Sequence, residues 1–167
     1  LGLGGHVIKN RAHWIAVPAV VGSFLLSLMA LSQVVSGAVL RIPLYTWANS
    51  GDLTITLGLF VDQLTAAMLM LVTIVSSLVH IYTIGYMHGE PGYARFFSNI
   101  ALFTFSMLML VMSDNFLQMF VFWEAVGLCS YLLIGHWYER ESARAAATKA
   151  FLVNRIGDFG FMVGILL

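Results

Sequence analysis

Charge placement constrains this chain more than any other feature. No Asp, Glu, Lys or Arg lies between Arg11 and Arg41, a run of 29 residues, and 27 more uncharged residues separate Asp62 from Glu90. Another 18 separate Arg95 from Asp114, and the 24 between Asp114 and Glu139 hold one charge, Glu124. A helix crosses the hydrocarbon core of a bilayer in about 20 apolar residues. The spacing therefore predicts helices near 14–38, 60–86, 96–113, 115–138 and 149–167, an all-α polytopic membrane protein. Of the 167 residues, 60% are hydrophobic and 10% charged, where a soluble domain is about half apolar and a quarter charged. Too little polar surface remains for a soluble enzyme, a nucleic-acid binder or a disordered tail. The first stretch is too long for a cleaved signal peptide. A single cysteine, Cys129, excludes an intrachain disulfide and a Cys-rich metal site. With no initiating methionine and an uncapped apolar run at 161–167, the sequence reads as a piece of a longer protein.

Because helices alternate direction, the segments 6–13, 86–96 and 138–149 share one face. That face gathers Lys9, Arg11, Arg95, Arg140, Arg144 and Lys149, whereas the opposite face holds only Arg41. The bias makes the first face cytoplasmic, or matrix-facing. On the other face, 44–47 and 53–57 alternate with β-prone residues around the turn Asn49-Ser50-Gly51-Asp52. This pattern predicts a short hairpin near 41–59, resting on the membrane surface with Tyr45 and Trp47 at headgroup level.

Chemistry is expected from the ionisable residues inside the spans. Glu124 falls about nine residues into its helix, roughly 14 Å deep. An acid there costs about 2.5–3.5 kcal/mol even on an insertion-derived scale. It reads either as a protonated acid bonded to a neighbouring helix or as a proton-relay group with a cationic partner. No Lys or Arg of the predicted helices reaches its depth, so that partner is expected beyond residue 167. Arg155 and Asp158 are three apart on one helix face and can pair. With Lys149 they form a polar ladder, which reads equally as a structural ion pair or as a proton-entry path. Asp62 opens its helix as a complement to the N-terminal dipole. His80 is expected to be a satisfied internal histidine with no metal-binding neighbour, and His136 a boundary histidine facing headgroups. Cys129 and the methionines read as packing, while Gly127, Ser130 and Gly135 permit close helix contact.

Three ordered motifs give the chain a family likeness. The run 114–135, containing Trp123-Glu124-Ala125-Val126-Gly127-Leu128-Cys129-Ser130-Tyr131, resembles the fifth-helix signature of the largest antiporter-like membrane subunit of respiratory complex I. This is the subunit-5 or L type of NADH:quinone oxidoreductase. The run Lys149 to Gly160, with Asn154-Arg155-Ile156-Gly157-Asp158, is similar to the same family. So is Ser76-Ser77-Leu78-Val79-His80-Ile81-Tyr82 followed by Gly92-Tyr93-Ala94-Arg95-Phe96-Phe97. The likeness is strong over 59–167, and by topology only before that. It implies that 1–167 is the N-terminal part of a longer antiporter-like subunit. It also implies that Glu124 pairs with a lysine on a discontinuous seventh helix, beyond this sequence, with Arg155, Asp158 and Lys149 on a lateral polar axis. The implied function is proton translocation coupled to NADH oxidation and quinone reduction. No cofactor is expected in this chain; NADH, FMN, iron–sulfur clusters and quinone belong to partner subunits. The implied partners are other membrane-arm subunits and the bilayer, in a bacterial inner membrane or, alternatively, a mitochondrial one. Two other classes stay open: the large subunit of a multisubunit Na⁺/H⁺ antiporter, and a membrane scaffold.

Overall fold

A computed structural model describes residues 11–51 and 53–167; Lys9 and Asp52 lie outside the described residues. The elements are α1 (His13–Val35), β1 (Leu40–Ser50), β2 (Leu53–Val61), α2 (Gln63–Tyr86), α3 (Tyr93–Val111), α4 (Phe116–Ile134) and α5 (Glu141–Leu166). The chain is a polytopic helical membrane protein with one antiparallel hairpin. Helices α1 to α4 are each long and apolar enough to cross a membrane. The 26-residue α5 carries Glu141, Arg144, Lys149, Arg155 and Asp158, and is not among those four. It nevertheless runs antiparallel beside α4 for most of its length. Phe161 meets Phe120 and Trp123 at one end, Phe151 meets Tyr131 further along, and Ala147 abuts Gly135 at the other. The depth that α4 traverses, α5 traverses too.

Local chemistry sets the element ends. Asp62 and Asn115 cap α2 and α4, each accepting a 2.8 Å bond from a backbone N–H three residues on, at Thr65 and Gln118. The bond from Thr65 N–H holds the Asp62 carboxyl below the usual carboxylate range, outweighing the opposing cost of its partial desolvation. The spacing of charges misplaced several boundaries. The first helix stops at Val35, not near 38, because Gly37 at φ +94° turns the chain into β1. The second begins at Gln63 rather than 60, because β2 continues to Val61. Helix α3 starts at Tyr93 and α4 ends at Ile134. The last helix begins at Glu141, not 149: 141–148 is charged but alanine-rich, and alanine favours helix whatever the surrounding polarity.

The hairpin pairs Leu40 with Val61 through to Ser50 with Leu53, around a turn in which Gly51 has φ +59°. The antiparallel pairing agrees with the alternation in the sequence, and β2 runs two residues beyond 59. Two core clusters mark the bundle ends. Ala12, Ala16, Met87, Tyr93, Phe97 and Ile100 pack at the end carrying Arg11, Arg95, Arg140 and Arg144. Val34, Val61, Ala66 and Leu69 pack beneath the hairpin. Buried Gln118 ties hairpin to bundle. Its side-chain amide donates to the Gly58 carbonyl at 2.9 Å and accepts from the Gly58 N–H at 3.0 Å, as a paired strand residue would. Asn115 adds a 2.7 Å bond to the Thr56 carbonyl.

Candidate functional site

Midway along α4, Glu124 faces α5. Its carboxylate forms an ion pair with the Arg155 guanidinium. The Asp158 carboxylate lies 3.8 Å from the same guanidinium nitrogen, one turn along α5. Asp158 is buried, and its other oxygen accepts a 3.0 Å bond from the Trp123 indole N–H. Arg155 also rests over the Phe151 ring, 4.6 Å from its centroid. Phe161 against Phe120 and Trp123 closes one side of the cluster, and Phe151 against Tyr131 the other. One guanidinium thus serves two carboxylates between two aromatic contacts. The two acids are sheltered while the guanidinium is half-exposed, so the contacts gain strength mainly on the carboxylate side.

The expectation that Glu124 would find no cation within these helices is corrected by Arg155. Charge spacing placed Arg155 by its distance along its own helix and overlooked the short connection 135–140. That connection forces α5 to run back beside α4, and the long arginine side chain reaches across. The i, i+3 pairing of Arg155 with Asp158 is present, although Glu124 is the closer partner. Lys149 does not join the cluster. Nine residues at 100° each put it on the face of α5 opposite Asp158, and it is exposed. Trp123 went unrecognised as a functional partner, although its position beside Glu124 was the available signal. Gly127 and Gly135 do face α5, where a Cβ would meet Asn154 at 3.6 Å and Ala147 at 3.4 Å.

The histidines differ from one another. His80 is buried in α2, with Nδ1 2.8 Å from the Ser76 carbonyl and 3.2 Å from the Ser76 hydroxyl. The Ser76 hydroxyl in turn meets Thr104 at 2.6 Å. His136, expected to face headgroups, is instead 3% exposed. Arg95 reaches over from α3 to donate a 3.0 Å bond to the His136 carbonyl, and Phe96 and Trp137 pack edge-on against the ring. Burial holds its pKa below the ordinary histidine value. The charge of Arg95 adds to the shift, and that of Glu90 opposes it.

The acid–guanidinium–acid cluster on paired antiparallel helices belongs to a class defined by the fold: polytopic helical membrane proteins. Comparison with known proteins makes this particular. Residues 47–97 match the family described as "NADH-Ubiquinone oxidoreductase (complex I), chain 5 N-terminus", and residues 113–167 match "NADH:quinone oxidoreductase/Mrp antiporter, TM". The chain is 53% identical over 168 residues to NADH-quinone oxidoreductase subunit L of Neisseria meningitidis serogroup B, covering 98% of this chain and 25% of that protein. It is 48% identical over 159 residues to subunit L of Rickettsia typhi, covering 95% of this chain and 24% of the relative. It matches the NAD(P)H-quinone oxidoreductase subunit 5 of Paulinella chromatophora at the same identity and coverage. The chain belongs to the chain-5, antiporter-like membrane subunit family of NADH:quinone oxidoreductase. It spans about a quarter of the length of the curated relatives it matches.

Proposed function

We propose that this chain forms part of the proton-translocating membrane subunit of an NADH:quinone oxidoreductase, in a bacterial inner membrane. NADH, flavin, iron–sulfur clusters and quinone then reside in partner subunits, and this chain contributes charge coupling alone. The observation that carries the reading is the Glu124–Arg155–Asp158 cluster at mid-depth in the helix pair. Two carboxylates against one guanidinium leave a negative charge uncompensated. In a low-dielectric interior that surplus calls for a second cation or a bound proton. A lysine from a later helix, as the family resemblance implies, supplies the cation. When it approaches Glu124 its ammonium form is favoured; when the carboxylate turns to Arg155, the lysine's proton is released. Arg155 thereby competes with the lysine for one acid. Asp158, held by the Trp123 indole, keeps the arginine within reach of both positions.

The test uses the full-length subunit in its assembled complex. Glu124→Gln keeps shape and hydrogen bonding but removes the charge. Proton pumping driven by NADH oxidation should fall severely, while electron transfer from NADH to artificial acceptors in the peripheral subunits is spared. Normal pumping in an assembled Gln variant overturns the proposal. A family model shared with Mrp antiporters supports a second reading, an Na⁺/H⁺ antiporter subunit. Co-purification with small hydrophobic subunits, and no flavin- or cluster-bearing ones, would favour it.

A further inference from the structure

At the basic end of the bundle, a cavity of about 210 Å³ opens between the first turns of α3 and α5 and the last turn of α4. Arg95, Asn99, Tyr131, His136, Tyr138 and Arg144 line it, and its lining holds no carboxylate. Two features of its charges call for an explanation. Arg95 is the third residue of α3 and Arg144 the fourth of α5, where the positive ends of both helix dipoles disfavour a cation. Neither guanidinium has a carboxylate within ion-pairing distance among the described residues. Glu141 already complements the start of α5, but the first turn of α3 holds no acidic residue, and with the two arginines it makes an electropositive recess. An anion relieves all three at once.

His136 points to the same occupant independently. It is 3% exposed and borders the cavity, and neither ring nitrogen has a hydrogen-bond partner among the described residues. An unmet buried N–H is costly; the Nε2 edge faces Gly92, and a turn of the ring would bring an N–H to a phosphate oxygen in the recess. Glu90 and Glu139 lie in the neighbouring recess of about 450 Å³ with Arg140, on the far side of the wall made by Arg95 and His136. No carboxylate lines the smaller cavity itself, although Glu90 is near enough to act on the charge of His136, which the two recesses share. The position selects the source of the phosphate. Tyr131, Trp137 and Tyr138 cluster at the end of α4, as aromatics do at headgroup level, and exposed Leu132 continues the lining towards the hydrocarbon. A phosphodiester seated between Arg95 and Arg144 directs its acyl chains down the outside of α4.

We propose that this cavity binds the phosphodiester headgroup of an anionic phospholipid from the basic-side leaflet, held by Arg95, Arg144 and His136. The site goes beyond charge translocation and is separate from the Glu124 cluster. The test uses the full-length subunit in its assembled complex, in detergent. A phosphatidylglycerol with a photoreactive group high on one acyl chain is crosslinked, and labelled peptides are mapped by mass spectrometry. Label should concentrate on 131–138 and be displaced by unlabelled phosphatidylglycerol, but not by phosphatidylcholine. Arg144→Glu, at an exposed side chain, should lower labelling about tenfold, the value of one charge-assisted hydrogen bond. Arg144→Lys should retain most of it. Asn99→Asp, which brings negative charge from the opposite wall, should lower labelling independently. Equal displacement by phosphatidylcholine, or unchanged labelling in both charge variants, overturns the site. Full displacement by inorganic phosphate overturns the lipid assignment in favour of free phosphate.

Discussion

Replacing Arg155 by glutamine removes the guanidinium that joins the two carboxylates, and leaves both behind. Breaking a buried ion pair in this way costs about 3–5 kcal/mol, whereas an exposed pair is worth about 0–1. The Arg155 side chain is 42% exposed, Glu124 20% and Asp158 9%. The exposed guanidinium discounts the upper figure, and the two sheltered acids rule out the lower. A loss of about 2 kcal/mol follows, roughly thirtyfold in the unfolding equilibrium. Glu124→Gln alone should cost less, since it removes a charge that would otherwise be stranded. The decisive quantity is the coupling. Glu124→Gln with Arg155→Gln should recover about 1–2 kcal/mol relative to the sum of the single variants. The assay is detergent-driven unfolding of the full-length subunit in lipid nanodiscs, followed for all four members of the cycle. Effects that add within about 0.5 kcal/mol would refute the claim that these side chains form one electrostatic unit.

Three further outcomes follow from the geometry. Gln118→Ala removes both bonds to Gly58 and should cost about 2–4 kcal/mol by orphaning a buried N–H and C=O; amide exchange at Gly58 and proteolysis near Gly51 should both accelerate. Gly92→Ala should cost about 1–2 kcal/mol, because Gly92 has φ +87° and a Cβ would lie 3.2 Å from the His136 ring; faster exchange over 135–140 reads it out. His136 has its folded pKa below 6.5, so between that depressed value and 6.5 the unfolded chain binds more protons than the folded one. The stability it contributes is complete above 6.5 and is lost as pH falls through that window; exchange over 133–140, corrected for intrinsic rates, should rise on acidification and stay flat in His136→Phe.

Long uncharged runs made the spans legible, and alternation around Asn49-Ser50-Gly51-Asp52 made the hairpin legible. Both patterns are local, set by the period of one element and by the medium it faces. The same localness explains the misplaced helix start at 149. Residues 141–148 are helical without being apolar, and a reading tuned to bilayer crossing stops where charges begin. Glu124, Arg155 and Asp158 stood out as ionisable groups at membrane depth, which is a property of each residue alone. Their meeting was not legible in that way, because it depends on how two helices are brought alongside. The Gln118 clamp was equally hidden: one glutamine in an apolar helix carries no sign that a strand 60 residues earlier will need its amide. The burial of His136 was not legible because position at a span end implies an open surface, whereas Arg95 and Trp137 fold over it.

The antiparallel seam between α4 and α5 also imposes a rule about chain length. Contacts along it join Trp123 to Phe161, Gly127 to Asn154, Tyr131 to Phe151 and Gly135 to Ala147. In each pair one number rises as the other falls, so the seam behaves like a closed zipper with its hinge at 135–140. A residue added in the exposed part of the hinge, 138–140, is absorbed there, and every tooth still meets its partner. A residue added between Ala147 and Arg155 turns everything beyond it by about 100° and advances it about 1.5 Å. Arg155 would then point away from Glu124, and Phe161 would leave Trp123, with no side chain altered. Length changes along this part of the chain are therefore tolerated at 138–140 and forbidden in the eight residues that lead from Ala147 to the arginine.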